Sequence, residues 1–254
     1  MAIYITGDTH GPIDTPNRFN TDRLQWMMYQ YRIPNFDKDK DYMIIAGDLG
    51  LIFSTNFDDK TEKSWTEYVG NKPWTTLFID GNHENFERLN ALPEIEMFGG
   101  KVGKYTDSIY HLKRGNIYTI EEKTFFTMGG GVSIDKLQRR DRISWWEEEM
   151  PNYAEYKKAM DSLVKVNFKV DYVITHTAPD FIRISLLKEV GMLNIPIFDG
   201  TTIPYKDKDQ LSLFLEKLVN EYNLNFKKWY FGHYHIDKTI YNYEALYERI
   251  LRIE

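Results

Sequence analysis

The sequence predicts an α/β protein with two packed sheets. Short apolar runs rich in β-branched and aromatic residues alternate with segments whose apolar residues recur at helical spacing. Such alternation is typical of α/β proteins. Between residues 108 and 128 three strand patterns follow one another, SIYHLK, NIYTIE and KTFFTM, joined by turn signals at Arg114-Gly115-Asn116 and Glu121-Glu122. This run predicts antiparallel pairing and a second sheet.

The predicted elements alternate along the chain. Each strand pattern is a short, mostly apolar run that ends near a glycine or a polar residue. The strand ranges are Ala2 to Thr6, Tyr42 to Ala46, Thr75 to Ile79, Lys123 to Met128, Tyr172 to Thr175 and Lys228 to Phe231. The helix ranges are Thr21 to Tyr31, Lys60 to Val69, Asn85 to Leu89, Asn152 to Lys165 and Lys208 to Asn223.

The organisation of the chain favours one domain over residues 1–254. Its 254 residues suffice for one large core, and aromatic residues make up 15% of the chain. No internal repeat, low-complexity run or Pro/Gly/Ser-rich linker divides the sequence. We therefore expect a single folded domain.

The net charge and the absence of cysteine limit the kinds of binding partner and of metal ligand. The formal net charge of −6 argues against non-specific attraction to nucleic acids or anionic membranes. Because the chain has no cysteine, His, Asp, Glu and Asn remain as metal ligands, which fits a reducing compartment. The start, MAIYITGD, has no basic segment, and no segment approaches the length that spans a bilayer. A cytoplasmic location without a membrane partner is expected.

Five small polar clusters follow predicted strands. They are Gly7-Asp8-Thr9-His10-Gly11, Gly47-Asp48-Leu49-Gly50, Gly81-Asn82-His83-Glu84, Thr175-His176-Thr177 and Gly232-His233-Tyr234-His235. In open α/β sheets, ligands bind beyond the carboxyl ends of the strands, and glycine lets the backbone turn sharply there. Asp-x-His and His-x-His spacings place two side chains on the same side of an extended segment. The clusters are therefore expected to converge.

Mixed carboxylate, imidazole and amide ligands suit hard or borderline divalent cations. A carboxylate can bridge two such ions about 3.5–4 Å apart, and Asp48 is the candidate bridge. Two ions would lower the pKa of a shared water, orient phosphoryl oxygens and stabilise the charge that develops during in-line attack. No protein nucleophile is then required.

The ordered motifs GDTHG, GDLG, GNHE, TH and GHYH, from Gly7 to His235, resemble the calcineurin-like metallophosphoesterase superfamily. The resemblance implies a four-layer α/β/β/α sandwich of two mixed sheets flanked by helices. It also implies two divalent ions, Mn, Fe, Zn or similar. One ion would take Asp8, His10 and His235 with bridging Asp48. The other would take Asp48, Asn82, His176 and His233.

The resemblance also implies a catalytic role for His83, which is not a metal ligand. In the family this histidine contacts the phosphate and acts as a general acid toward the leaving oxygen, while a metal-bridging hydroxide attacks phosphorus. The neighbouring acidic residue, here Glu84, would orient it. An imidazole near its transition pH can donate a proton to a leaving alkoxide. The sequence therefore predicts His83 and Glu84 as catalytic residues.

The motif details bear on the substrate. GDLG lacks the GDxxDRG form that resembles protein phosphatases, so a protein phosphatase is disfavoured. GHYH resembles the phosphodiesterase-like and nuclease-like branches, including cyclic nucleotide phosphodiesterases. The leading hypothesis is a hydrolase of a small phosphate ester, nucleotidic or another, diester or monoester. The alternatives are a nuclease, which would favour a basic groove, and a non-catalytic metal-binding scaffold, which usually loses ligands.

A glycine-led segment, Gly129 to Ser133, precedes LQRRDRISWWEEEMP. Bidentate arginines can bind phosphate, and tryptophan can stack on a base or ring. The candidate substrate-binding residues are Arg139, Arg140, Arg142, Trp145 and Trp146. A solvated charged loop anchored by the two tryptophans is an equally supported interpretation.

Three acidic residues and one histidine lie outside the motif positions. Asp14, Asp22 and Asp80 are expected in turns, caps or solvated positions, with Asp80 able to tilt the turn before Gly81. His111 is expected to be an ordinary structural or surface residue. None of the four is predicted to bind metal.

Overall fold

The computed structural model describes residues 1–191, 194–196, 202–204 and 209–254. Fifteen strands lie in this part of the chain: β1 Ile3–Thr6, β2 Tyr42–Ala46, β3 Thr75–Ile79, β4 Glu94–Met97, β5 Gly100–Lys104, β6 Ile109–Leu112, β7 Asn116–Ile120, β8 Lys123–Met128, β9 Tyr172–Thr175, β10 Asn194–Pro196, β11 Thr202–Pro204, β12 Lys228–Phe231, β13 Lys238–Ile240, β14 Tyr243–Ala245 and β15 Leu251–Ile253. The α-helices are α1 Thr15–Arg18, α2 Thr21–Gln30, α3 Lys60–Gly70, α4 Phe86–Asn90, α5 Tyr153–Lys165, α6 Asp180–Glu189 and α7 Gln210–Asn220. Single 3₁₀ turns cover Lys136–Gln138 and Glu147–Glu149.

Two mixed sheets dominate the described fold. The first has the order β15-β1-β2-β3-β6-β5-β4, with β1, β2, β3 and β6 parallel and the outer strands antiparallel. The second has the order β13-β14-β12-β9-β8-β7, with β14, β12, β9 and β8 parallel. The short strands β10 and β11 pair antiparallel.

Three apolar clusters separate four layers. One fills the space between the sheets and includes Ile5 of β1, Leu77 of β3 and Phe125 of β8. The second joins the outer face of the first sheet to α2, α3 and α4, and the third joins the outer face of the second sheet to α5, α6 and α7. Because a sheet buried on both faces reads as a continuous apolar run, the strands lack strict alternation. The four-layer α/β/β/α sandwich predicted from the sequence is confirmed.

The predicted strand run after residue 108 is confirmed only in part. β7 and β8 pair antiparallel as expected. β6 instead pairs with β3 and β5 in the first sheet, so the turn at residues 114–116 carries the chain from one sheet to the other. Gly115 (φ +69°) lies against α5, where a Cβ would fall 2.8 Å from the backbone nitrogen of Ala159. The turn signal was real, but the turn joins strands of two different sheets and not the two strands of a hairpin.

Helix α6 has no counterpart among the predicted elements. Its N-cap is Pro179, which makes no side-chain capping hydrogen bond, so the usual start signal is missing. Its buried Ile182, Leu186 and Leu187 are interspersed with the exposed apolar Phe181 and Ile184, which blurs the helical periodicity. In the described residues no helix combines the length and the apolar character needed to cross a membrane.

Candidate metal centre

The five polar clusters lie at the carboxyl ends of β1, β2, β3, β9 and β12. The first three strands are parallel neighbours in one sheet, and the last two are parallel neighbours in the other. Since the sheets pack face to face, their strand ends share one edge of the sandwich. Asp8, Asp48, Asn82 and His176 are buried there, while the His235 side chain is 47% exposed. The predicted convergence of the clusters is found.

Three overlapping groups of side chains are arranged as a metal could require. The groups are Asp8, His10 and His235; His10, Asp48 and His83; and Asp8, Asp48 and His176. In each group one candidate ligand atom per residue lies within 4.8 Å of the others. Asp48 Oδ2 lies 3.5 Å from His10 Nε2 and 3.3 Å from His176 Nε2. Asp48 therefore occupies the middle of the site.

Asn82 and His233 complete the buried side of the centre. The Asn82 Oδ1 atom lies 3.0 Å from His176 Nε2 and 3.0 Å from His233 Nδ1. The amide oxygen and the two imidazole nitrogens are therefore close enough together to bind one cation. These atoms are of the type that binds borderline divalent cations.

Strand-end glycines make room for the carboxylates. A Cβ on Gly81 would lie 1.9 Å from Asp48 Oδ1, and a Cβ on Gly232 would lie 2.1 Å from Asp8 Oδ1. Both distances are far shorter than any non-bonded contact. Each glycine after one strand therefore admits a candidate ligand carried by another strand, which explains why the polar clusters begin with glycine.

Gly81→Ala is expected to displace Asp48 and to destabilise the fold by at least about 1–3 kcal/mol, because the new methyl group would also lie 2.4 Å from the Asp48 backbone nitrogen. Thermal unfolding and metal content measure the two effects. Gly70→Ala is the matched control, since its Cβ would meet only Ser108 Oγ at 3.6 Å. Normal metal binding by Gly81→Ala would contradict this packing argument.

Several candidate ligands have left-handed backbone conformations. The φ angles are +39° at His10, +47° at Asp48, +70° at His233 and +51° at His235. Such conformations are uncommon outside glycine and cost energy, so the surrounding structure must hold them. The His10 N–H donates to Asp48 O at 2.9 Å, and the His233 N–H donates to Asp8 Oδ1 at 3.0 Å. Four of the thirteen non-glycine residues with such angles in the described part of the chain are therefore candidate ligands at this edge.

The electrostatics of the centre favour a cation. Asp8 and Asp48 are buried side by side, and their own imidazole neighbours supply the compensating charge. Burial disfavours protonation of His176, but Asp48 and Asp8 outweigh it and raise the pKa of His176 to about 10. Burial also opposes protonation of His10, whereas contacts with Asp48 raise the pKa of His10 to about 9. Positive charge is required here, and this donor set fits divalent cations.

His83 lies at the rim, with its side chain 33% exposed. Its N–H donates to Asp48 Oδ1 at 2.9 Å, and its Nε2 lies 3.2 Å from Arg139 Nη2. Glu84 is fully buried, and its Oε1 accepts the Leu49 N–H at 3.0 Å, while Oε2 has no hydrogen-bond partner among the described residues. Burial, reinforced by Asp48 and Asp80, raises the pKa of Glu84 to about 8. Glu84 braces the GDLG loop instead of the His83 ring, which Arg139 contacts.

The predicted substrate-binding loop divides into different environments. Arg139 is near the centre, and its guanidinium is held by Asp135 at 2.7 Å and by the Ser144 carbonyl at 3.0 Å. Arg142 instead pairs with Glu87 at 2.5 Å, and Arg140 is exposed.

The two tryptophans of this loop are not open to a substrate ring in the same way. Trp146 is only 3% exposed and belongs to the core beneath the first sheet. Trp145 is half-buried and lies under the Lys136 ammonium, 3.8 Å from its ring centroid. Trp146 therefore anchors the loop in the core, as one of the two interpretations expected. Of the five candidate substrate-binding residues, Arg139 is the one that lies next to the centre.

Two contacts that hold candidate ligands in position were not predicted from the sequence. Asp14 Oδ2 lies 2.7 Å from His10 Nδ1, so it orients that ring as carboxylates commonly do for metal-binding histidines. The Asn82 side-chain NH₂ group donates to Ser133 Oγ at 3.0 Å. The four-residue spacing from His10 to Asp14 was the only available signal, because Ser133 reaches Asn82 through the fold.

Asp80 and His111 form a buried pair beside the centre. His111 Nε2 lies 2.9 Å from Asp80 Oδ1, and Arg114 Nε donates to Asp80 Oδ2 at 2.7 Å. Burial disfavours the charged carboxylate, but Arg114 and His111 outweigh it and lower the pKa of Asp80. His111 is 4% exposed and is therefore structural and internal. Asp80 precedes the turn at Gly81, as expected, and Arg114 holds its carboxylate in place.

Comparisons with known proteins bear on the family. One match among solved structures is a Staphylococcus aureus protein provisionally called a 5'-nucleotidase, in complex with alpha-ketoglutarate. It is 12% identical at a TM-score of 0.46, and the match covers 99% of this chain and 50% of that one. This chain thus spans half the length of that protein, and so distant a likeness carries no argument about activity. A comparison with curated proteins found no significant match.

The comparison with protein families is the informative one. The sequence model of the calcineurin-like phosphoesterase family matches residues 1–237. This range contains all five polar clusters, from Gly7 to His235, and most of both sheets. The chain belongs to the calcineurin-like phosphoesterase family.

Proposed function

We propose that this protein is a hydrolase that uses two divalent cations to cleave a small phosphate ester. The Asp8 site consists of Asp8, His10 and His235, and the Asn82 site consists of Asn82, His176 and His233. Asp48 lies between them and would bind both cations. Bound there, the cations would supply positive charge to the phosphoryl group and acidify a water for attack on phosphorus. Manganese, iron, zinc or a similar metal suits these ligands.

One observation carries this proposal: two buried carboxylates lie within reach of five imidazoles and one amide oxygen at one edge of the sandwich. The ligand atoms of Asp8, Asp48 and His176 all lie within 4.8 Å of one another. Burial of two like charges so close together is costly unless positive charge lies beside them, which a cation or protonated imidazoles would supply. A non-catalytic scaffold would not need all seven candidate ligands, and none is missing from this chain.

His83 and Arg139 would act on the substrate itself. Both side chains lie on the rim of the centre, 3.2 Å apart at Nε2 and Nη2. Burial lowers the pKa of His83, Asp48 opposes this shift, and Arg139 reinforces it. An anionic phosphate between the two side chains would neutralise the influence of Arg139 and favour a protonated His83. His83 would then donate its proton to the leaving oxygen.

The substrate is proposed to be small. Arg139 is one guanidinium next to the centre, and its Nη2 faces His83 while Asp135 and Ser144 hold its Nε and Nη1, which suits contact with a single phosphoryl group. The net charge of −6 gives no general attraction to a nucleic-acid backbone, so a nuclease is the less favoured relative of this proposal. A nucleotide or another small ester, monoester or diester, fits the site.

Hydrolysis of an aryl phosphodiester and of the matching monoester tests the proposal. Purified protein is assayed with added Mn²⁺ and, in parallel, after treatment with a chelator. We expect metal-dependent turnover of at least one ester, and the ratio of the two rates defines the preferred class. Absence of turnover with both esters in metal-loaded protein would overturn the proposed activity on simple phosphate esters.

Arg139→Ala is expected to raise the KM for the ester by roughly 10- to 100-fold, because a charge-assisted contact contributes about 1.5–3 kcal/mol to binding. Steady-state kinetics over a range of ester concentrations measure this effect. Arg142→Ala is the matched control in the same loop, since Arg142 pairs with Glu87 and Glu148 instead. Equal KM values for the wild type and Arg139→Ala would remove Arg139 from the proposed binding site.

A further inference from the structure

The amide of Asn82 must point in one direction to bind a cation. Its oxygen has lone pairs for a metal, whereas its NH₂ group offers only protons. In the structure Oδ1 faces His176 Nε2 and His233 Nδ1, both at 3.0 Å. The NH₂ group faces the other way and donates to Ser133 Oγ at 3.0 Å. The two ends of the amide differ little in shape, so hydrogen bonding must determine which end faces the centre.

Ser133 can only accept from Asn82, because its single hydroxyl proton is engaged elsewhere. The Ser133 hydroxyl donates to Glu149 Oε2 at 2.5 Å, and the Ser133 N–H donates to Glu149 Oε1 at 3.2 Å. The two carboxyl oxygens of Glu149 thus accept both protons that Ser133 can donate, which leaves only the lone pairs of Ser133 Oγ for Asn82. A reversed Asn82 would point its oxygen at the lone pairs of Ser133 Oγ.

The Ser133–Glu149 pair is sealed from solvent and fixed in position. Ser133 is 4% exposed and Glu149 is 3% exposed, which leaves little access for water to replace a lost hydrogen bond. The Glu149 carbonyl accepts the Gly131 N–H at 3.2 Å and Arg114 Nη2 at 3.2 Å. Because a buried polar group without a partner is costly, this arrangement strongly favours one direction of the hydrogen-bond chain.

We propose that Ser133 and Glu149 are positioning residues that keep the oxygen of Asn82 directed at the Asn82 site. The inference rests on the proposed function, in which Asn82 is a ligand of one of the two cations. Neither Ser133 nor Glu149 is among the seven candidate ligands, so both would act through Asn82. Their effect is selective for one of the two sites, because no contact in the described residues joins Ser133 or Glu149 to Asp8, His10 or His235.

Titration of metal-free protein with Mn²⁺ tests this inference. Wild type is expected to bind two equivalents, with an electron paramagnetic resonance signal of two coupled ions. Ser133→Ala is expected to keep the affinity of the Asp8 site and to lose roughly 10- to 100-fold at the Asn82 site, as outer-shell changes typically do. The coupled signal then requires more Mn²⁺. Ser144→Ala is the control, an exposed serine in the same loop that should behave as wild type.

Glu149→Gln tests the same chain with almost no change in shape. Its amide can donate to Ser133 Oγ, which frees the hydroxyl proton and lets Asn82 adopt either direction. We expect the same selective loss at the Asn82 site. Wild-type affinity at both sites in both variants, or equal losses at both sites, would overturn the positioning role. Fewer than two equivalents bound by wild type would overturn the proposed function, and the inference with it.

Discussion

Asp48→Asn is expected to abolish turnover by weakening both cations together. Asp48 Oδ2 lies 3.5 Å from His10 Nε2, on the side of the Asp8 site, and 3.3 Å from His176 Nε2, on the side of the Asn82 site. The amide removes one negative charge and places an NH₂ group where a bridging oxygen is needed. Because the loss of an outer-shell partner already costs roughly 10- to 100-fold in affinity, the loss of a shared ligand should exceed about 100-fold for each cation.

Metal content after dialysis and titration with Mn²⁺ measure this effect. Asp41→Asn is a matched control, since Asp41 is also buried but accepts the Ala2 N–H at 2.7 Å, far from the centre along the strands. That variant is expected to keep both cations even where its thermal stability falls. Metal-replete Asp48→Asn with normal activity would refute the bridging position of Asp48.

His83→Ala is expected to retain both cations and to lose about 100- to 10 000-fold in kcat, the usual contribution of a general acid. The loss should depend on the leaving group. An aryl ester leaves readily without a proton, whereas an alkyl ester needs one, so the alkyl ester should suffer the larger loss. Comparison of kcat for the two esters in wild type and variant measures this dependence.

Metal content provides the control for His83→Ala. The His83 N–H donates to Asp48 Oδ1, but this backbone contact survives truncation of the side chain. Two equivalents of Mn²⁺ per chain are therefore expected in the variant. Equal losses of kcat for both esters would show that His83 positions the phosphate and does not transfer a proton.

The fold and the site were predictable to different extents. Strand ends such as Thr6, Ala46 and Phe231 were correct because buried parallel strands give continuous apolar runs that stop at glycine. The convergence of the clusters followed from one rule, that parallel strands deliver their carboxyl ends to a common edge. Sequence patterns were therefore enough to predict the strands and the loops of the centre.

The supporting contacts depend on pairings that no local pattern encodes. Ser133 reaches Asn82 across 51 residues, and Arg139 reaches His83 across 56 residues. The adjacency of Glu84 to His83 suggested an orienting pair, whereas in the structure Glu84 Oε1 accepts the Leu49 N–H from the neighbouring loop. A catalytic role for Glu84 stays a prediction. The single domain over residues 1–254 and the cytoplasmic location stay predictions.

Turnover measured against the number of bound metal equivalents tests the central claim most directly. Metal-free protein is titrated with Mn²⁺, and each sample is analysed for bound metal and for hydrolysis of the preferred aryl ester. We predict that activity is absent without metal, rises with binding of the second equivalent and reaches a plateau at two equivalents per chain. Full activity at one equivalent, or in the metal-free protein, would contradict a two-cation phosphoesterase.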